Sequence, residues 1–104
     1  MLKRRQVYNF TKKLYRILKT HPKWITFEKM RGMSGLYEEY GGNRKIAIMI
    51  DPRKEIIPSL IHEILHHIHQ DWCESMVYKH ERMIMNSLSK AQIKHILRML
   101  GNCI

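Results

Sequence analysis

Two histidines four residues apart, with a glutamate directly after the first, are the residues of this chain best placed to do chemistry: His62-Glu63-Ile64-Leu65-His66. On a helix, residues four apart stand on one face about 6 Å from each other, so two imidazoles reach one ion at roughly 2.0–2.1 Å each. Glu63 then lies about 100° round the helix from His62, beside the ion but not bound to it. From there it can hold and deprotonate a water that the ion activates. Zn2+ is the expected cofactor, and it still needs one more protein ligand.

The neighbouring residues favour this reading over a chance pattern. Placed at 100° intervals, Leu60, Ile61, Ile64, Leu65 and Ile68 share one arc, while His62, Glu63, His66, His69 and Gln70 share the opposite one. An ordinary amphipathic helix carries Lys and Glu on its polar arc; this one carries imidazoles. His69 is seven residues from His62, about 10 Å along the axis, and cannot join the same ion. His67 points some 140° away from His62 and is expected at the surface or behind the ligands.

A third ligand must come from another element, and the following segment offers two. Val77, Tyr78, Ile84, Met85 and Leu88 form a stripe at helical spacing that should face inward, and Glu74 and Glu81 fall on that stripe. A carboxylate on a buried face costs several kcal/mol unless it is paired or coordinated, hence about one strong partner is expected for each. The bland alternatives are a first-turn acid for Glu74 and an ion pair with Arg82, Arg98 or His80 for Glu81. In a tight helical hairpin turning near 70–73, the level of His66 falls at about residue 76 or 77, between the two glutamates. Geometry at this stage leaves both open.

The elements that must position these groups are readable from periodicity. Val7, Phe10, Leu14, Ile17 and Leu18 recur at helical spacing, with Lys12, Lys13, Arg16 and Lys19 on the other side, and His21-Pro22 ends that helix. Trp24, Ile25 and Phe27 suggest a short strand. Leu36–Tyr40 and Arg44–Ile50 flank Gly41-Gly42-Asn43 as a β-hairpin, whose second strand is apolar on both faces and is expected to be covered on both. The motif helix should begin near Pro58 or Ser59 and run to about His69. A second helix covers roughly 73–88. A third starts at Ser89, where Ser89 and Gln92 form a capping-box signature, and stops at Gly101. The fold class is α+β: an N-terminal helix, a small antiparallel hairpin or sheet, the motif helix and two C-terminal helices, in one domain over 1–104.

Composition bounds the remaining possibilities. Hydrophobic residues at 44 % and charged ones at 27 % describe a folded chain rather than a disordered one. The longest uninterrupted apolar stretch, Ile46–Ile50, is far short of the roughly 20 residues of a membrane span. No apolar run of signal-peptide length follows the basic start, and Cys73 and Cys103 make no CxxC pair, so an intracellular, reducing location without membrane association is expected. The formal net charge of +10 suggests an anionic partner such as nucleic acid, reached through basic residues of the first and last helices.

Motif and surroundings together resemble a family. HExxH followed by a ligating glutamate on the next helix is similar to a zincin metallopeptidase of the gluzincin kind. The stretch from Arg44 to Glu81 also resembles minimal phage HExxH proteins, loosely related to the SprT-like group. It does so through an apolar strand (KIAIMID), the motif helix (IHEILHHIH) and an Asp-x-x-Glu-x-x-Val turn (DWCESMV). The resemblance implies a zinc-dependent peptidase acting on a protein or peptide, with His62 and His66 as ligands and Glu63 as general base. It places Glu74 ahead of Glu81 as third ligand, and implies an edge strand beside the motif helix, Arg44–Ile50 or Leu36–Tyr40, as the place where substrate backbone lies. Tyr37, Tyr40, Tyr78 and His80 are the candidates to stabilise an oxyanion. The rival expectation is a metal-stabilised basic module that binds nucleic acid or protein without catalysis, with Cys73 as the candidate to complete a closed site of four ligands.

Overall fold

A computed structural model describes residues 4–40, 45–53 and 55–103, leaving aside the side chains of Arg4, Tyr40 and Lys45. The proposed turn Gly41-Gly42-Asn43, and Arg44 at the start of the second strand, lie outside the described residues. Four helices and a three-stranded sheet make an α+β architecture: α1 (Arg4–Thr20), β1 (Ile25–Phe27), β2 (Gly35–Tyr40), β3 (Lys45–Ile50), α2 (Ile56–Ile68), α3 (Glu74–Ser87) and α4 (Lys90–Gly101). Among the described residues, no helix is long and apolar enough to cross a membrane.

Helix α1 forms because its apolar residues recur on one face. Val7, Phe10, Leu14, Ile17 and Leu18 are all buried, and Lys12, Lys13, Arg16 and Lys19 face solvent. At Pro22 the chain turns into a single 3-10 turn, Pro22–Trp24, across which the His21 ring stacks on Trp24 at 4.0 Å. That turn delivers β1 to the sheet.

The sheet has the order β1-β3-β2, with β3 in the centre. The hairpin is antiparallel, pairing Gly35 with Ile50 and Tyr37 with Ile48, but β1 joins parallel to β3, pairing Ile25 with Ile48 and Phe27 with Ile50. The sheet is therefore mixed rather than purely antiparallel. β1 arrives from α1 on the far side of β3, a crossover that a tight turn does not allow. Ile48 and Ile50 are fully buried in the core, whereas Ala47 and Met49 on the other face are half-buried. The second face is thus only partly covered, contrary to the sequence expectation. Helix α2 packs on β2 and β3 from the side of Ile48 and Ile50, which share its core.

The motif helix starts at Ile56, two residues before Pro58. Pro58 is tolerated there because the first N–H of α2 to reach an intrahelical carbonyl is that of Ser59, bonded to Glu55 O at 3.1 Å. Leu60, Ile61, Ile64 and Leu65 drive α2 into the same core as Leu14, Ile48, Val77, Ile84 and Ile96. Helix α4 begins as its sequence signature requires: the Ser89 hydroxyl accepts from the Gln92 N–H at 3.1 Å, and the Ser89 N–H donates to the Gln92 side chain at 2.8 Å.

Candidate metal centre

With the apolar arc of α2 held in the core, His62, Glu63 and His66 turn toward α3 and β2. They line a cleft of about 410 Å³, closed on one side by residues 32–37 and on the other by Glu74, Tyr78 and Glu81. His62 and Glu63 are buried, and His66 is partly open to the cleft. The His62 and His66 rings lie 4.9 Å apart at 69°, so both present a nitrogen to the same space.

The carboxylate that meets those nitrogens belongs to Glu74. Its Oε2 lies 3.3 Å from His62 Nε2, and its Oε1 contacts His66 Nε2. One ligand atom from each of His62, His66 and Glu74 falls within 4.8 Å of the others. A tetrahedral ion with bonds of roughly 2.0–2.1 Å holds its ligand atoms roughly 3.3 Å apart, so this group, of metal-ligating donor types, would have to draw together from separations of up to 4.8 Å to share one ion. Cys73 stands outside the trio: it occupies the N-cap position of α3, is exposed, and its Sγ lies 3.1 Å from Ser75 Oγ.

Glu81 takes the other side of the same imidazole. Its Oε1 is 3.1 Å from His62 Nδ1, which donates to the carboxylate and leaves Nε2 facing the cleft. The two glutamates, seven residues apart on α3, therefore bracket one ring. The expectation that both lie on a buried face holds for Glu81, whose side chain is 15 % exposed. It fails for Glu74 at 61 %, which sits in the first turn at the open mouth of the cleft. Glu81 pairs with His62 rather than with Arg82, Arg98 or His80, and burial raises its pKa against the lowering effect of that histidine.

Glu63 lies beside the trio. Burial, reinforced by the nearby Glu74 and Glu81 carboxylates, pushes its pKa up to about 7. A cation between those groups would act in the opposite direction. The Glu63 side chain is accommodated by Gly35, one residue ahead of the strand expected at Leu36–Tyr40. A Cβ on Gly35 would stand 3.0 Å from Glu63 Oε2, 3.1 Å from its Cγ and 3.2 Å from Met49 O, so glycine lets the first residue of β2 lie against this carboxylate without the Glu63 side chain giving way.

The other candidates are distributed as follows. His69 stacks on Trp72 at 3.7 Å, and His80, whose Nδ1 bonds Met76 O at 2.9 Å, packs on the same indole at 4.3 Å, so both are turned away from the cleft. His67 is half-buried behind the ligands, with Nδ1 3.2 Å from the Tyr37 hydroxyl. That hydroxyl also donates to Glu39 Oε2 at 3.3 Å and accepts from Gln70 at 3.3 Å, so Tyr37 ties β2 to the end of α2. Tyr78 lines the cleft with its ring 4.5 Å from His62 and half of its surface exposed, not inward as its place on the apolar stripe suggested. The Tyr40 side chain lies outside the described residues.

The cleft rim has a support that the sequence analysis missed. Asp51 is fully buried and accepts from the Met30 N–H at 3.0 Å, from the Arg53 N–H at 3.0 Å and from the Arg53 guanidinium at 2.8 and 3.0 Å. Arg53 also donates to Met30 O at 3.2 Å. These bonds tie the segment after β1, which runs on through the rim residues Gly32, Met33 and Ser34, to the end of β3. They hold the Asp51 carboxyl well below the usual carboxylate range, led by the Arg53 side chain. Its signal in the sequence was Asp51-Pro52-Arg53, a buried strand end followed by a proline and a cation.

Compared with known proteins, the chain matches no family model, no curated protein and no solved structure.

Proposed function

We propose that this chain is a zinc-dependent peptidase. The observation that supports the reading most strongly is the convergence of His62 Nε2, His66 Nε2 and the Glu74 carboxylate within 4.8 Å, next to the buried carboxyl of Glu63. Three protein donors leave a tetrahedral ion one open position, which is the arrangement of a catalytic rather than a closed structural site. When bound, zinc lowers the pKa of water toward about 7 and polarises a carbonyl.

The chain's own groups supply the rest. Glu63 accepts a proton from the attacking water and returns it to the leaving amine, from its buried position beside the trio. Glu81 holds the His62 ring so that Nε2 faces the cleft. A peptide is the favoured substrate because β2, unlike the other candidate strand β3, which is central, is an edge of the sheet, and its residues Gly35, Leu36 and Tyr37 border the cleft. An extended backbone can add to such an edge by main-chain hydrogen bonds. Tyr78, at the opposite wall, is the hydroxyl placed to donate to a developing oxyanion.

The direct test is hydrolysis of an unstructured protein by the chain with one equivalent of Zn2+. The proposal expects discrete cleavage products, loss of activity with a chelator and recovery when zinc is restored. Zinc bound at one equivalent with no hydrolysis of any unfolded substrate would instead favour the non-catalytic module.

A further inference from the structure

The +10 charge is not spread evenly. All nine acids lie between Glu28 and Glu81, so the N-terminal and C-terminal helices contain none. Helix α1 carries Arg4, Arg5, Lys12, Lys13, Arg16 and Lys19, and α4 carries Lys90, Lys94 and Arg98. The fold brings these two acid-free helices side by side, with the Tyr15 ring edge-on to His95 at 4.8 Å. Lys12 and Lys19 flank Tyr15 at i−3 and i+4, and Arg98 flanks His95 at i+3, so cations line both sides of the seam. Lys12, Arg16, Lys19, Lys94 and Arg98 are all exposed.

We propose that the outer faces of α1 and α4 form a docking surface for the phosphate backbone of a nucleic-acid duplex. Charge complementarity is the first argument: two neighbouring helices offer only cations and neutral groups to an approaching polyanion. The second argument separates a duplex from an anionic membrane. A helix that lies on a bilayer needs its apolar face free for insertion, whereas Val7, Phe10, Leu14, Ile17 and Leu18 of α1 are consumed in the core. The third separates duplex from single strand. Tyr8 is the large exposed aromatic of α1, and its ring lies under Lys12 Nζ at 5.1 Å, so the face lacks the row of open rings on which unpaired bases stack. Binding is therefore to backbone, without sequence preference. No residue of α1 or α4 lines the cleft of His62, His66 and Glu74, so the surface leaves that site open.

The test is binding of the full chain to a 20-base-pair DNA duplex of arbitrary sequence across a salt series. Five phosphate contacts predict a slope of log K against log salt of about −4.5. The triple variant K12E/K19E/R98E should bind at least tenfold more weakly at low salt and show a slope near about −2. K12Q/K19Q/R98Q, which introduces no new charge, should shift in the same direction. A control with the same change of net charge elsewhere, K29E/R31E/K79E, should keep its affinity within about threefold, on the order of a single weakened long-range interaction. Equal loss in the control triple, absence of duplex binding at low salt, or tighter binding to phosphatidylserine vesicles than to duplex would each overturn the proposal.

Discussion

Glu81 Oε1 lies 3.1 Å from Nδ1 of His62, on the side of the imidazole opposite the nitrogen that meets Glu74. One ring is thus held between two carboxylates, one in the position of a ligand and one orienting it. This division of labour distinguishes the roles of two residues that a helical stripe alone makes equivalent.

It predicts unequal consequences for zinc. On the proposed function, Glu74→Ala removes a ligand and should abolish stoichiometric binding. Glu81→Ala removes only the partner of His62 Nδ1 and should weaken zinc about 10- to 100-fold, measured by competition with a chromogenic chelator. Equal loss in the two variants would make Glu81 a ligand and undo the assignment.

Gly35 gives a prediction about geometry rather than ligation. Gly35→Ala places a methyl group 3.0 Å from Glu63 Oε2, and the left-handed backbone that often explains a glycine is found at Gly32, not here. The carboxyl must move. Zinc affinity should hold while kcat/KM for an unfolded substrate falls about tenfold, less than the roughly hundredfold cost of a displacement of about 1 Å, because the carboxyl need give by only a few tenths of an ångström. Unchanged kcat/KM in this variant would mean that Glu63 does not need its present position.

Asp51 sets an acid limit to stability. Its carboxyl is held well below its ordinary value near 3.8 by Arg53 and the Met30 N–H. A group whose pKa is lower in the folded state contributes its full stabilisation above the unfolded value. That contribution is lost as pH falls from about 3.8 toward the folded one. Denaturant unfolding followed from pH 7 to pH 2 should show this loss. Asp51→Asn should start from lower stability at neutral pH and lose less below pH 4. Parallel curves for the two proteins would remove Asp51 from the account.

Local signals in the chain predict their structures well. The capping box at Ser89 and Gln92 and the stop at His21-Pro22 depend on residues within a turn of each other, and both form as expected. The α+β class follows from periodicity, since period-2 and period-3.6 stretches are long enough to tell apart. What was not legible depends on how distant elements meet. The parallel pairing of β1 with β3, the exposure of Glu74 against the burial of Glu81, and the demand for glycine at position 35 all arise from tertiary packing. The early start of α2 has a different cause. Pro58 is compatible with any place in a first turn, so its presence bounds the start without specifying it. The trio itself was half legible: spacing within one helix places His62 with His66 and the resemblance favoured Glu74 over Glu81, but only the packing of α3 on α2 brings the Glu74 carboxylate to both rings.

The central claim is that Glu63 does chemistry beside a metal that other residues hold. Cleavage of an unfolded protein should be compared for the wild type and Glu63→Gln at matched zinc occupancy. The predicted result is that Glu63→Gln binds one equivalent of zinc with near wild-type affinity and loses at least about a thousandfold in rate, as expected when a general base is replaced by an isosteric amide. Hydrolysis at the wild-type rate by the zinc-loaded Glu63→Gln variant would contradict it.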